Sequence, residues 1–153
     1  MSHIQKSTLV PVSLIKEQEA GCFLRSVYPD IPQDAVISVR EFPQYEAVLV
    51  YLDEGSEPVI GSLAEALGGM EDHNRIAARY FDGALYLAIA QDEKLLLANA
   101  YPAPDFTTAE YYIFLAMKSL QLNPEQSVIR FAGELDEEQE MSLGRYFKAV
   151  ETL

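Results

Sequence analysis

The sequence predicts an α/β fold (α+β in the sense of a mixed sheet), and three observations predict it. Three apolar, β-rich runs at residues 75–81, 84–90 and 95–101 follow one another, separated by turn-forming residues. A long apolar helix follows over residues 107–122. A fourth strand at residues 127–132 comes after it, and a strand–helix–strand crossover lays that strand parallel to an earlier one.

The elements before this meander are shorter. Residues 4–10 form a strand that Pro11 closes. Ser13 can cap the helix that follows, whose inner face is Ala20, Phe23, Leu24, Val27 and Tyr28, with Pro29 ending the pattern. Residues 35–41 and 45–52 read as an antiparallel hairpin. In its first arm Ala35, Ile37 and Val39 alternate with Ser38 and Arg40, which puts the polar pair on the wet face. Ala47-Val48-Leu49-Val50 is apolar on both faces and belongs in the middle of a sheet. Ser56 or Glu57 caps the next helix, with Pro58 at its first position and Ile60, Leu63 and Leu67 inward. Gly68-Gly69 offers a left-handed stop.

Glu71-Asp72-His73-Asn74 is the most polar bridge in the chain. It divides a small β-α-β-β-α lobe, residues 1–72, from a β-β-β-α-β-α lobe, residues 73–153. In the second lobe Asp82-Gly83 favours a two-residue type I′ turn. Thr107 and Glu110 have capping-box spacing. The helix behind them is apolar nearly all round and should be the most buried one. Asp136 caps a last helix whose inner face is Met141, Leu143, Tyr146, Phe147 and Val150.

Composition bounds the function. The 153 residues carry 24 acidic and 11 basic side chains, a net charge of −13. Such a surface repels phosphate backbones and anionic membranes, which argues against nucleic-acid and membrane partners. No apolar run approaches the ~20 residues that span a bilayer. The single cysteine, Cys22, cannot form an internal disulfide. It fits a reducing cytoplasm and, beside an apolar helix face, a buried structural thiol.

Between residues 94 and 135 the chain resembles a bacterial family of unknown function with the actin-like ATPase (ribonuclease H-like) fold. The likeness is carried by Leu95-Leu96-Leu97-Ala98-Asn99, Thr107-Thr108-Ala109-Glu110-Tyr111-Tyr112, Leu122-Asn123-Pro124 and Phe131-Ala132-Gly133-Glu134. Ser7-Thr8-Leu9-Val10-Pro11 also fits a strand-to-helix step of that family. The β-β-β-α-β-α order is half of such a core. Family members are longer, so the resemblance implies that this chain is their C-terminal part, without a first β-rich half-lobe. It also implies a nucleotide between two lobes, with hairpin turns offering amides, a hydroxyl and a carboxylate to phosphates and Mg²⁺.

The residues for that task are thin. Phe81-Asp82-Gly83-Ala84-Leu85-Tyr86 has no hydroxyl before Tyr86 and no second glycine, and turn chemistry alone accounts for Asp82-Gly83. Gly133 stands where such folds place an adenosine contact. Asn99 ends an apolar strand and, if buried, needs partners; tying down the loop at residues 101–106 is its simplest role. Asp82, Gly83, Asn99 and Gly133 are therefore candidates for a vestigial nucleotide site only. No Walker-type glycine run with Lys-Ser/Thr exists. His3 and His73 have no metal-ligand spacing, and no nucleophile is placed beside either as in a triad. Glu134, Asp136, Glu137, Glu138 and Glu140 suit a solvated helix start. Tyr111, Tyr112 and Tyr146 sit at expected core positions.

The sequence thus points to a cytoplasmic, non-catalytic protein without cofactor or metal, acting through a protein partner or self-association. The alternative is a nucleotide or small-ligand binder whose site a missing half-lobe or a second subunit completes. A ribonuclease H-like nuclease ranks last, since residues 75–81 and 127–132 carry no carboxylate for metal ions.

Overall fold

The computed structural model describes residues 4–15 and 18–153. Strands β1 (Ser7–Pro11), β2 (Ile37–Phe42) and β3 (Ala47–Leu52) form an antiparallel sheet in the order β1-β3-β2. β3 lies centrally, as its doubly apolar sequence predicts, with Val48, Leu49 and Val50 buried. Helix α1 (Val12–Ile15) leaves β1 directly, so Ser13 lies inside a helical turn rather than at a cap. Helix α2 (Ala20–Val27) follows Glu19, whose side chain makes no capping bond. Its Leu24 packs with Val10, Ile31, Val48 and Val50.

Ala35 and Ile37 pack inward against the Leu24 core as expected, but β2 departs from the expected alternation at Val39 and Arg40. Val39 is 51% exposed, while Arg40 lies over the Phe42 ring at 4.6 Å and reaches Glu65 at 3.0 Å. The guanidinium and its stem cover apolar surface as a valine would, and two carboxylates, Glu57 and Glu65, hold the charge.

Helix α3 (Val59–Leu67) starts one residue later than expected, with Pro58 at its N-cap. Gly68 ends it in a right-handed conformation at φ −65, and Gly69 has no positive φ, so the expected left-handed stop does not form. Its buried face is Ile60, Leu63, Ala64 and Leu67.

The second sheet has five strands in the order β6-β5-β4-β7-β8, from β4 (Asn74–Phe81), β5 (Ala84–Gln91), β6 (Lys94–Pro102), β7 (Val128–Phe131) and β8 (Ala149–Thr152). β7 pairs parallel with β4, as the crossover rule requires. β5 is an interior strand, between β6 and β4, and is buried along residues 84–90. Its Leu85, Leu87 and Ile89 face α4 (Phe106–Ser119) and α5 (Glu137–Gly144), packing with Ile113, Met117 and Leu143. Its alternate residues Ala84, Tyr86, Ala88 and Ala90 face α3. The three alanines let α3 sit close on one face beside the Tyr86 ring, while the other face fills with branched side chains.

β8 corrects the expected last helix. α5 ends at Gly144, and residues 149–152 add a strand parallel to β7. Met141 and Tyr146, expected inward, are 59% and 53% exposed. Asp136 does cap α5, in a capping box with Gln139. α4 is corrected at its start and its outer face. Asp105, not Thr107, is its N-cap, and the Glu110 carboxylate accepts from Ser142 Oγ at 2.8 Å. Tyr111 and Leu115 are 60% and 43% exposed, so one face of α4 is buried rather than all of it.

The Asp105 carboxylate accepts from the Thr108 amide and hydroxyl, both at 2.8 Å, and these bonds hold it below the usual carboxylate range. A depressed carboxyl contributes stability above its unfolded pKa and loses it as pH falls through the folded one. Asp105→Asn is therefore expected to remove part of the acid sensitivity of unfolding below the ordinary Asp range. Urea titrations at neutral and acid pH check this; an unchanged pH dependence contradicts it.

The two sheets share a core. Gln5 N donates to the Tyr86 hydroxyl at 2.9 Å, and Gln5 Oε1 accepts from Val59 N at 2.7 Å. The start of β1 is thereby tied both to β5 and to the first turn of α3.

Candidate functional site

Open α/β sheets hold ligands beyond the carboxyl ends of parallel strands, where neighbouring connections diverge. That place here is the end of β4 and β7. β4 returns at once into β5, while β7 leads on to α5. Asp82 and Gly83 make the return with φ of 51 and 72, the left-handed pair that a type I′ turn needs. The Gly83 carbonyl accepts from Ala103 N at 2.8 Å. A two-residue turn has at most its own two amides, those of Asp82 and Gly83, to offer a phosphate.

Gly133 follows β7 at the same end of the sheet, with φ 85. A Cβ there would meet nothing within 4 Å, so the glycine serves the turn and not the close approach of a neighbour. Beside it lies a cavity of about 110 Å³ lined by Phe131, Glu134, Glu140, Glu151 and Thr152 among others. Ligand pockets run to about 300–1,000 Å³. The cavity is too small for a nucleotide, and no Lys or Arg lines it. Each carboxylate would oppose a phosphate by about 1 kcal/mol at 4 Å even in water.

The fold thus brings Asp82, Gly83 and Gly133 to one end of the sheet, and Asn99 stands apart. Asn99 lies inside β6 opposite Leu87, not at the strand's end. It is exposed rather than buried. Near it, burial pushes the Tyr101 phenol up, and the Asn99 side chain lowers it in part. Tyr101 stacks on Tyr112 at 4.7 Å. Asn99 therefore stands within a strand, beside an aromatic pair on the α4 side, and three residues before the strand's end.

Sequence reasoning missed Arg79. Its guanidinium lies 4.3 Å from the centre of the Phe81 ring, and Phe81 stacks on Tyr86 at 5.4 Å. Burial pushes the Tyr86 phenol up, the Gln5 amide lowers it, and the Asp82 charge adds to the rise. This cation near the β4–β5 turn is spent on an aromatic stack. The i, i+2 spacing of Arg79 and Phe81 on one strand face was the available signal.

The other candidates separate. His3 lies outside the described residues. His73 is on the surface, its Nδ1 3.0 Å from the Asp92 carboxylate. Cys22 is exposed, which corrects the expected buried thiol: it falls on the outer side of α2, away from Leu24. Among the described residues no group of three or more His, Cys, Asp or Glu is placed to hold a metal ion. Among them, too, no helix is long and apolar enough to cross a membrane.

Comparison with known proteins agrees with this fold. The model of a family described as "Protein of unknown function (DUF3822)" matches residues 57–150. A crystal structure of a Bacteroides thetaiotaomicron protein, described as having an actin-like ATPase fold and unknown function, superposes with a TM-score of 0.80 at 16% identity. The match covers 98% of this chain and 65% of that one, so the chain spans about two thirds of its solved neighbour's length. No curated protein matches the sequence.

Proposed function

The chain belongs to the DUF3822 family of proteins of unknown function, and we propose that it is a non-catalytic member of the actin-like ATPase fold that acts by binding a protein. The observation that carries this reading is the sheet end at Asp82-Gly83 and Gly133: one two-residue turn, one short loop and a small carboxylate-lined cavity where the fold would hold a phosphate. A cytoplasmic location is part of the proposal, supported by a lone, exposed thiol. Purified protein supplied with MgATP is expected to release phosphate at the rate of buffer alone. Turnover that depends on the protein and disappears in Asp82→Ala would overturn the reading.

A second reading rests on the same turn and loop. Both adopt left-handed backbone at one end of the sheet, so a second copy or the remainder of a longer protein can complete a ligand site there. A ligand at about 100 times its Kd adds about 2.7 kcal/mol. For a chain of this size that raises Tm by about 5–10 °C. We expect no such shift with ATP, ADP or GTP and Mg²⁺; a shift of that size favours the second reading.

A further inference from the structure

A groove of about 810 Å³ opens on the first sheet, between α1 and the turn that joins β2 to β3. Its apolar wall is Pro11, Val12, Ile15, Tyr45 and Val48. Glu41 and Glu46 are the charged side chains that line it, and among the described residues neither carboxylate has an ion-pair partner. A second cavity of about 360 Å³ shares Pro11, Tyr45 and Glu46 with the first and runs on along β6 at Leu95–Asn99. β6 is an edge strand, so the far end of the groove offers backbone donors and acceptors on its open side.

The groove is held open from several sides. Tyr45 donates its hydroxyl to the Ala64 carbonyl of α3 at 3.0 Å, and its ring lies 6.1 Å from Phe42. Val12 N donates to the Glu46 carbonyl at 2.9 Å, which joins α1 to the lip of the turn. Glu46 itself is left-handed, at φ 51 and ψ 40, a conformation that costs a glutamate about 1 kcal/mol. A rigid, preformed groove loses little entropy when it is filled.

We infer that this groove docks an extended peptide segment of another protein, apolar at two or more positions and bearing a lysine or arginine that pairs with Glu41 and Glu46. The inference rests on the interaction reading above and gives it a surface and a partner chemistry. Apolar walls ask for apolar side chains, and two carboxylates with no ion-pair partner among the described residues, on a chain of net charge −13, ask for a cation. The length of the groove and the strand edge along it suit a polypeptide better than a compact amine.

The test is selection of a displayed library of random 12-residue peptides on the intact protein, followed by binding of the synthetic winners. Winners are expected to share a lysine or arginine next to apolar residues. They should bind the Glu41→Gln/Glu46→Gln double variant at least about tenfold more weakly, the loss of a charge-assisted contact, and separately Val12→Lys at least as weakly, because it puts a like charge beside the peptide's cation. Amide shifts on binding should centre on residues 43–48. Glu46→Gly relaxes the left-handed backbone while removing the carboxylate, so it serves if the glutamine variants fold poorly. Winners that bind the variants as tightly as the parent and shift the outer face of α4 at Tyr111 and Leu115 would overturn the groove and leave the interaction reading standing. Enrichment of no shared sequence would count against both.

Discussion

A chain cut back to residues 73–153 is expected to lose cooperative folding. The polar bridge around residue 72 marks the change from one sheet to the next, yet α3 lies before the bridge and packs on β4 and β5 after it. Cutting there strips Ile60, Leu63 and Leu67 from Ala77, Ala84, Tyr86, Ala88 and Ala90. Burial of one such large side chain contributes about 1.5–3 kcal/mol, so three contribute about 4.5–9 kcal/mol. That compares with a total of about 5–15 kcal/mol for a whole domain. The cut also removes Gln5, which bonds both Tyr86 and α3. Circular dichroism with urea melts reads the outcome. A sharp transition in the isolated 73–153 chain would show that the five-stranded unit stands without α3.

The second large effect is expected at Phe147. Its side chain is 4% exposed and stacks on Phe114 at 5.7 Å, between α5 and β8. Phe147→Ala should cost about 3–5 kcal/mol, the range for a buried phenylalanine. The neighbouring Tyr146→Ala should cost under about 1 kcal/mol, because that ring is 53% exposed and touches Phe114 only edge-on at 5.1 Å. The contrast separates the observed strand from a helix continued to Val150, in which both rings would face inward. Equal losses in paired denaturant titrations would support the helix.

What was legible in the sequence follows from local chemistry. Asp82-Gly83 announces its turn because few residue pairs accept two left-handed positions. β3 announces its central place because only a strand covered on both faces tolerates four apolar residues in a row. β8 escaped because residues 143, 146, 147 and 150 also satisfy helical spacing, and four residues give a strand no room to show its alternation. Thr107 looked like a cap because Glu110 follows at the right distance; Asp105, two residues earlier, offers a charged acceptor and wins. Arg40 on a packed face of β2 could not be foreseen either, since its partners Glu57 and Glu65 stand in the loop before α3 and in α3 itself.

The site divides in the same way. Gly83 and Gly133 were legible as turn residues, and that is their role in the backbone. Asn99 was misplaced because the strand runs three residues past it, to Pro102. The groove beside Glu46 had no sequence signal. Its walls come from β1, α1 and the β2–β3 turn, and a left-handed glutamate is not a pattern that sequence displays.

The central claim is that the actin-like fold here has given up its nucleotide. Calorimetric titration of MgATP into the full chain tests it most directly. The account predicts no heat beyond dilution and no binding tighter than about 1 mM, the level of about 4 kcal/mol that incidental contacts reach. Saturable binding well below that, lost in Gly133→Val and in Asp82→Ala variants that still melt cooperatively, would contradict it.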